Sequence, residues 1–228
     1  MPSQKLKINY DYEQDKILDK FIQSGIRPKV LIHSCCAPCS TYVLEKLAKI
    51  AEVTIFFYNP NIHPKEEYYR RQYAQIAFIK AFNLRTNSDV KFIAERYQPK
   101  EFYAVTKDLI AEKEGIGARC AVCYELRMDE AVKKAKALNF AFFASALTLS
   151  PRKNSGKVNE IGFMLAEKYG IKYLPSDFKK QNGYKRSIEL CKEYDVYRQC
   201  YCGCVFAANQ QGIDLRMVIF EAKKALGH

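Results

Sequence analysis

Nine of the 228 residues are cysteines, and eight of them fall into three groups: Cys35-Cys36-x2-Cys39, Cys120-x2-Cys123 and Cys200-x-Cys202-x-Cys204, with Cys191 apart. A chain this long buries roughly 70–75% of the surface that its unfolded form exposes, so neither a metal nor a disulfide is needed merely to fold it. The grouped thiols therefore point to metal or redox chemistry. Cys35 and Cys36 are vicinal, which obstructs the geometry of a disulfide between them and suits coordination better. Cys120 and Cys123, three apart near a predicted helix start, project from one face, where Arg119 and the helix N-terminus favour thiolates. Together Cys35, Cys36, Cys120 and Cys123 make four thiolates, enough for a tetrahedral zinc site or a cubane iron–sulfur cluster, and the spacing does not choose the metal. In Cys202-Gly203-Cys204 the glycine gives a short flexible loop that could close a strained, labile disulfide and act as an electron relay. Further metal ligands or inert thiols are the competing readings of that loop. Cys191 sits in an apolar stripe with Ile188 and reads as a small buried hydrophobe.

Other groups could join this chemistry. His33 immediately precedes the first thiol loop, and His63 lies in Asn59-Pro60-Asn61-Ile62-His63-Pro64; each is either a modulator or proton donor, or a hydrogen-bonded structural residue. Tyr184 is a further candidate proton donor. Asp177 is either a substrate-binding carboxylate or a turn residue, and Tyr68, Tyr69 and Tyr73 either stack on bases or pack a helix.

The elements that must position these residues alternate between apolar runs and amphipathic stretches. Strands are predicted at Lys29 to His33, Val53 to Tyr58, Val90 to Ala94 and Phe140 to Ser145. Helices are predicted at Tyr12 to Ser24, from Pro38, from Pro64 with Tyr69, Tyr73, Ile76 and Ile79 on one face, and at Pro99 to Glu114 and Cys120 to Leu138. Three more follow at Val158 to Tyr169, Gly183 to Tyr194 and Asp214 to Leu226. This order implies an α/β fold with a mainly parallel sheet flanked by helices, whose binding crevice lies at the carboxyl ends of the strands. The loop after the first strand, Ser34 to Cys39, carries thiols where a nucleotide site would carry glycines.

With 48% hydrophobic and 27% charged residues, the composition is that of a globular protein rather than a disordered or fibrous one. No apolar run reaches the ~20 residues of a membrane-spanning helix. The first residues, MPSQKLKINYDYEQDK, lack the apolar core of a secretory signal, so a cytoplasmic location is expected. There is no repeat or linker, and one domain spanning 1–228 is expected. The 37 Lys+Arg against 25 Asp+Glu give a net charge of +12, which favours an anionic partner, with nucleic acid the first candidate.

The joint presence and order of His33-Ser34-Cys35-Cys36-Ala37-Pro38-Cys39, the Asn59-to-Pro64 loop, Arg119-Cys120-x2-Cys123, Ser150-Pro151-x-Lys153, Phe178-Lys179-Lys180-x2-Gly183-Tyr184 and Tyr197-Arg198-Gln199-x-Tyr201-Cys202-Gly203-Cys204 resembles the QueH-type epoxyqueuosine reductases. The motifs cover residues 29–205 and leave an N-terminal extension, 1–28, and a C-terminal helix outside. The resemblance implies a Rossmann-like, adenine-nucleotide α-hydrolase-like fold with additional C-terminal helices. It implies an enzyme that reduces the epoxycyclopentanediol of epoxyqueuosine, at the wobble position of tRNA, to the alkene of queuosine. It also implies a 4Fe-4S cluster, whose ligands match Cys35, Cys36, Cys120 and Cys123, and a redox-active disulfide matching Cys202 and Cys204. Some members hold an additional mononuclear iron with the vicinal cysteines and an aspartate, at the position filled here by Cys39. The expected partners are tRNA, through its anticodon stem-loop, and an external electron donor, with the enzyme a monomer. Two rival readings are a zinc-stapled, non-catalytic tRNA-binding module and a cluster-dependent tRNA thiolation-like enzyme.

Overall fold

The segment Lys29–His33 is apolar from Val30 to Ile32 and buried from Val30 through His33, as expected of a strand covered on both faces. It forms β1 at the centre of the sheet. The computed structural model describes residues 8–109, 114–115 and 117–227. Among them the remaining strands are β2 (Glu52–Phe57), β3 (Lys91–Ala94), β4 (Phe142–Ser145) and β5 (Lys172–Tyr173). They pair in the order β3-β2-β1-β4-β5 and every pairing is parallel. The register sets Ile32 beside Ile55 on one side and beside Ala144 on the other, so the middle of the sheet is apolar throughout.

The chain steps from β1 to β2 to β3 in one direction and then returns across β1 to β4 and β5. Right-handed crossovers place the helices before and after that return on opposite faces. Accordingly α2 (Ala37–Leu47), α3 (Lys65–Thr86) and α7 (Gly183–Glu193) pack together, while α5 (Ala118–Ala137) packs on β1 and β4 and against α6 (Ser155–Tyr169) and α4 (Pro99–Thr106). The reversal between β1 and β4 is the topological switch point, where parallel α/β sheets open a crevice at their carboxyl ends. The loops that flank it here are Ser34 to Cys36 after β1 and a 3₁₀ turn, Ala146–Leu149, followed by residues 150–154, after β4.

The N-terminal helix α1 (Tyr10–Ser24) lies outside the motif region yet is part of the core. Leu18 is buried, Phe21 meets Phe142 edge-on at 5.5 Å, and Gln14 donates to the Pro175 carbonyl at 3.1 Å. Helix α6 approaches β5 closely: a Cβ on Gly162 would lie 2.3 Å from the Tyr173 ring, so only glycine fits there. The last helices are α8 (Val205–Gln210) and α9 (Leu215–Leu226), and α9 packs on α3. No described helix is long and apolar enough to cross a membrane.

Four differences from the sequence-based expectation stand out. The two-residue β5 and the six-residue α8 carry too short a period to be read. The helix expected over Pro99 to Glu114 ends at Thr106; residues 110–113 of that expectation lie outside the described residues. The buried face of α3 is Glu67, Tyr68, Arg71, Gln75, Phe78, Ile79 and Phe82, whereas Tyr73 is 58% exposed. Three polar residues occupy the inner face because they serve the site described next.

Candidate metal and redox centre

The loop after β1 is fixed from several sides. Ser34 donates its backbone N–H to Phe56, its carbonyl accepts from Asn59 Nδ2 at 2.9 Å, and its hydroxyl shares a 2.7 Å hydrogen bond with Ser40. Ser40 in turn donates to Gln75 Oε1 of α3 at 2.9 Å. Cys36 is the extended N-cap of α2 and Cys39 lies in its first turn. The three thiols are buried and their Sγ atoms lie within 4.8 Å of one another, the one such group of potential metal ligands among the described residues. Cys35 Sγ is 3.7 Å from Cys36 Sγ and 3.6 Å from Cys39 Sγ, close to the ~3.8 Å between two thiolates sharing a tetrahedral ion with ~2.3 Å metal–sulfur bonds. Cys36 and Cys39 are closer, at 2.8 Å.

Sulfur–sulfur hydrogen bonding with Cys36 and Cys39 holds Cys35 well below the usual thiol range. Burial pushes Cys36 up to about 12, and the same hydrogen bonding pushes Cys39 up. A metal ion would bind these thiols as thiolates, the ligating form.

The second thiol group forms where α5 meets the C-x-C loop. Cys123, on the first turns of α5, packs with Phe102, Cys204, Ala207 and the half-buried Cys202. Cys120 accepts a hydrogen bond from the Gly115 amide at 3.0 Å, and Cys204 caps α8 by accepting from Ala207 at 3.3 Å. Burial raises the pKa of Cys120, pushes Cys123 up to about 11 and pushes Cys204 up to about 12. All four cysteines are free thiols.

The C-x-C loop is tied to α3 and to the Asn59-to-Pro64 loop. Arg71 is 1% exposed, bonds the fully buried Glu67 at 2.7 Å, and donates to the carbonyls of Cys202 at 3.0 Å and Tyr201 at 3.2 Å. Tyr197 donates to Glu67 from the other side, at 3.0 Å. His63 donates its backbone N–H to Gly203 at 2.8 Å, and its carbonyl accepts from Tyr201. Gly203 has φ +117°, and a Cβ there would lie 2.9 Å from Ile62 and 3.0 Å from Arg71 Nη1. Just upstream, Gln199 donates to Cys36 Sγ at 2.9 Å, joining this segment directly to the first thiol group.

Two cations lie between the thiol groups. Arg127, one turn beyond Cys123 on α5, is 1% exposed; Nε donates to the Cys123 carbonyl at 3.0 Å, and Nη1 and Nη2 have no hydrogen-bond partner among the described residues. Burial works against its charge, but the charges of Cys123, Cys35 and Cys202 outweigh it. Lys153, on the turn before α6, responds in the same way to Cys202, Cys35 and Cys39. A buried guanidinium with two orphaned donors and no carboxylate beside it is costly unless an anionic group fills the space it faces. A thiolate-ligated metal group carries that charge, and Cys35, Cys36 and Cys39 fit one, with Arg127 as an internal counter-ion; the expected ligands Cys120 and Cys123 lie outside this close group of thiols.

Cys35, Cys39, Cys202, Lys153, Tyr184 and Arg198 line one cleft of about 310 Å³ at the switch point. A larger cleft, about 590 Å³, lies at the amino ends of β1 to β3 and contains no thiol. Chemistry and strand polarity both select the smaller one.

The remaining sequence candidates divide clearly. His33 is fully buried between Ser145 Oγ at 3.4 Å and the Tyr58 carbonyl at 3.2 Å; burial, helped by Arg127, pushes its pKa down to about 3, so it is a neutral structural tie. Asp177 closes a turn with Lys180 and pairs with Lys179, as a turn residue does. Tyr68 packs in the core and Tyr73 faces solvent. Cys191 is buried on α7 away from the thiol groups, and Cys200 is exposed at the cleft. Sequence reasoning missed Glu67, Arg71, Gln75, Gln199 and Arg127. For the first three the signal was their i, i+4, i+8 spacing on the helix face that continues as Phe78 and Phe82.

These features define a Rossmann-like domain in which a thiol centre takes the place of the phosphate-binding glycines at the switch point. The sequence profile described as Epoxyqueuosine reductase QueH matches residues 30–210. The chain is 51% identical over 217 residues to the epoxyqueuosine reductase QueH of Streptococcus pyogenes serotype M1, covering 95% of this chain and 85% of the relative. It is 51% identical over 222 residues to that of Staphylococcus aureus strain Mu50, covering 96% and 92%. The chain belongs to the QueH family of epoxyqueuosine reductases. The NMN synthetase of Francisella tularensis, at 14% identity and TM-score 0.50 over 96% of this chain and 85% of that one, shows the same adenine-nucleotide α-hydrolase-like fold.

Proposed function

We propose that this chain reduces epoxyqueuosine to queuosine at the wobble position of tRNA. It would do so as a single α/β domain holding a 4Fe-4S cluster on Cys35, Cys36, Cys120 and Cys123, with Cys39 available to a further iron and Cys202 and Cys204 acting as a redox pair. The observation that supports this most is the convergence of thiols from two groups, Cys35 and Cys39 with Cys202, on a switch-point cleft lined by Lys153, with the buried Arg127 behind it, neither cation being paired with a carboxylate among the described residues. A bound iron–sulfur group would supply one-electron transfer and, at an open iron, Lewis acidity toward the epoxide oxygen.

The chain's own residues account for the rest of the balance. Converting the epoxide to an alkene and water consumes two electrons and two protons. Oxidation of the Cys202 and Cys204 thiols to a disulfide releases the same, and an external donor then restores the dithiol. Gly203 and the Arg71 tethers hold the pair beside Cys123, next to where a bound metal group would take up electrons. Arg152 and Arg198 at the cleft offer positive charge to the phosphates of an anticodon loop whose target base is splayed inward.

The test is anaerobic incubation of the iron-loaded protein with epoxyqueuosine-containing tRNA and a reductant, followed by nucleoside analysis. Queuosine is the expected product, and its absence with fully loaded protein overturns the reading. Absorbance at about 400 nm with about four iron and four sulfide per chain is expected of the cluster, whereas colourless zinc protein would favour the stapled binding module.

A further inference from the structure

Lys153 is held in a fixed place. Its backbone N–H closes a turn onto the Ser150 carbonyl at 3.2 Å, between the 3₁₀ turn that ends β4 and the Asn154 cap of α6. Its half-buried side chain lines the cleft with Cys35, Cys39 and Cys202. Among the described residues no carboxylate lies within 4.0 Å of it, unlike Lys46, Lys133 and Lys179, each of which is paired. Arg152, its neighbour, is engaged with Gln211 at 2.9 Å. Lys153 is thus an unpaired ammonium on the wall of the cleft, facing thiols of both groups.

We propose that Lys153 is a catalytic residue that stabilises and protonates the epoxide oxygen as it leaves, and that it recovers its proton from the thiols. This rests on the reductase reading above. Breaking the first C–O bond places negative charge on oxygen, and an alkoxide is about as basic as hydroxide, whose conjugate acid has a pKa of about 15.7. An ammonium nearby lowers the energy of that charge and gives up a proton downhill once the bond has stretched. The second C–O bond then breaks, the C=C bond forms and oxygen departs as water. The sum is dithiol plus epoxide giving disulfide, alkene and water: two electrons and two protons come from Cys202 and Cys204, and Lys153 hands one proton on and receives one back. Tyr184, which also lines the cleft, is 37% exposed.

Three forms of the full chain decide the matter: wild type, Lys153→Met and Lys153→Arg, each iron-loaded and assayed anaerobically for kcat, KM, tRNA affinity and iron content. The expected result for Lys153→Met is a fall in kcat of about 10²-fold or more, with KM, affinity and iron within about threefold of wild type. Lys153→Arg, which keeps the charge but releases a proton far less readily, is expected to lose at least about tenfold in kcat with binding intact. Should the methionine variant fold poorly, the arginine variant alone tests the proton-donor role. A Lys153→Met kcat within about threefold of wild type, a loss accounted for by tRNA affinity or by missing iron, or full rescue by arginine overturns the proposal. An inactive wild type removes the reductase reading and this inference together; an active wild type beside an equally active variant removes this inference alone.

Discussion

Replacing Arg71 with methionine is the sharpest test of how the fold holds its redox loop. Arg71 and Glu67 are 1% and 0% exposed, and the guanidinium makes three bonds: to Glu67 at 2.7 Å and to the Cys202 and Tyr201 carbonyls at 3.0 and 3.2 Å. Methionine fills most of the volume but leaves Glu67 buried with only the Tyr197 hydroxyl as partner. Removing one member of a buried pair costs about 3–5 kcal/mol, because the other charge is left uncompensated. Against a typical total of about 5–15 kcal/mol, Arg71→Met stays folded but close to the threshold. The double variant Glu67→Leu/Arg71→Met buries no charge and leaves one hydroxyl and two carbonyls short of a partner, so a loss of about 1–3 kcal/mol is expected. The two sites should therefore couple by about 2 kcal/mol or more. Urea unfolding under reducing conditions, compared at constant m, measures all four corners of the cycle. An Arg71→Met loss below about 1 kcal/mol, or a double-variant loss equal to the sum of the singles, would refute the view that a buried ion pair anchors the loop.

Gly203→Ala places a Cβ at φ +117° against Ile62 and Arg71, so a loss of about 1–3 kcal/mol by urea unfolding is expected, together with slower turnover. Cys202→Ser should lose product formation both in a single turnover of pre-reduced protein and in multiple turnover, because the dithiol supplies both electrons; unchanged turnover would remove Cys202 from electron delivery. Affinity for tRNA should drop by about sevenfold between about 50 and 200 mM salt, since the two cleft arginines on single-stranded phosphates give a slope of about −1.4; a flat response would place the tRNA elsewhere.

The sheet was legible because its central strands are buried on both faces, which makes β1 and β2 short, mainly apolar runs. The edge strand β5 pairs through two residues and has no pattern to read. Helix α3 shows where hydropathy misleads. Its inner face mixes Phe78 and Phe82 with Glu67, Arg71 and Gln75, and a rule that sends charge outward assigns Tyr73 to the core and Arg71 to solvent. The polar residues are inside because the loops after β1 and around Gly203 expose carbonyls and hydroxyls that no secondary structure satisfies, and a buried helix face is the nearest source of donors and acceptors.

The same logic applies to the thiols. Their types and spacing announced a metal or redox site, but which thiols meet depends on the switch point bringing the β1 loop and the β4 loop to one crevice, with α5 packed on both strands. It also changes the meaning of the net charge. Arg71 and Arg127 are inside the protein and Lys153 lines its cleft, so part of the +12 is not a surface for RNA at all. Arg71 has its anion in Glu67. Among the described residues Arg127 and Lys153 pair with no carboxylate, and the fold brings thiols to them instead. Cations placed beside cysteines set the sign of the group those cysteines would hold: the field of Arg127 and Lys153 would favour a thiolate-rich, net-negative group over a neutral one.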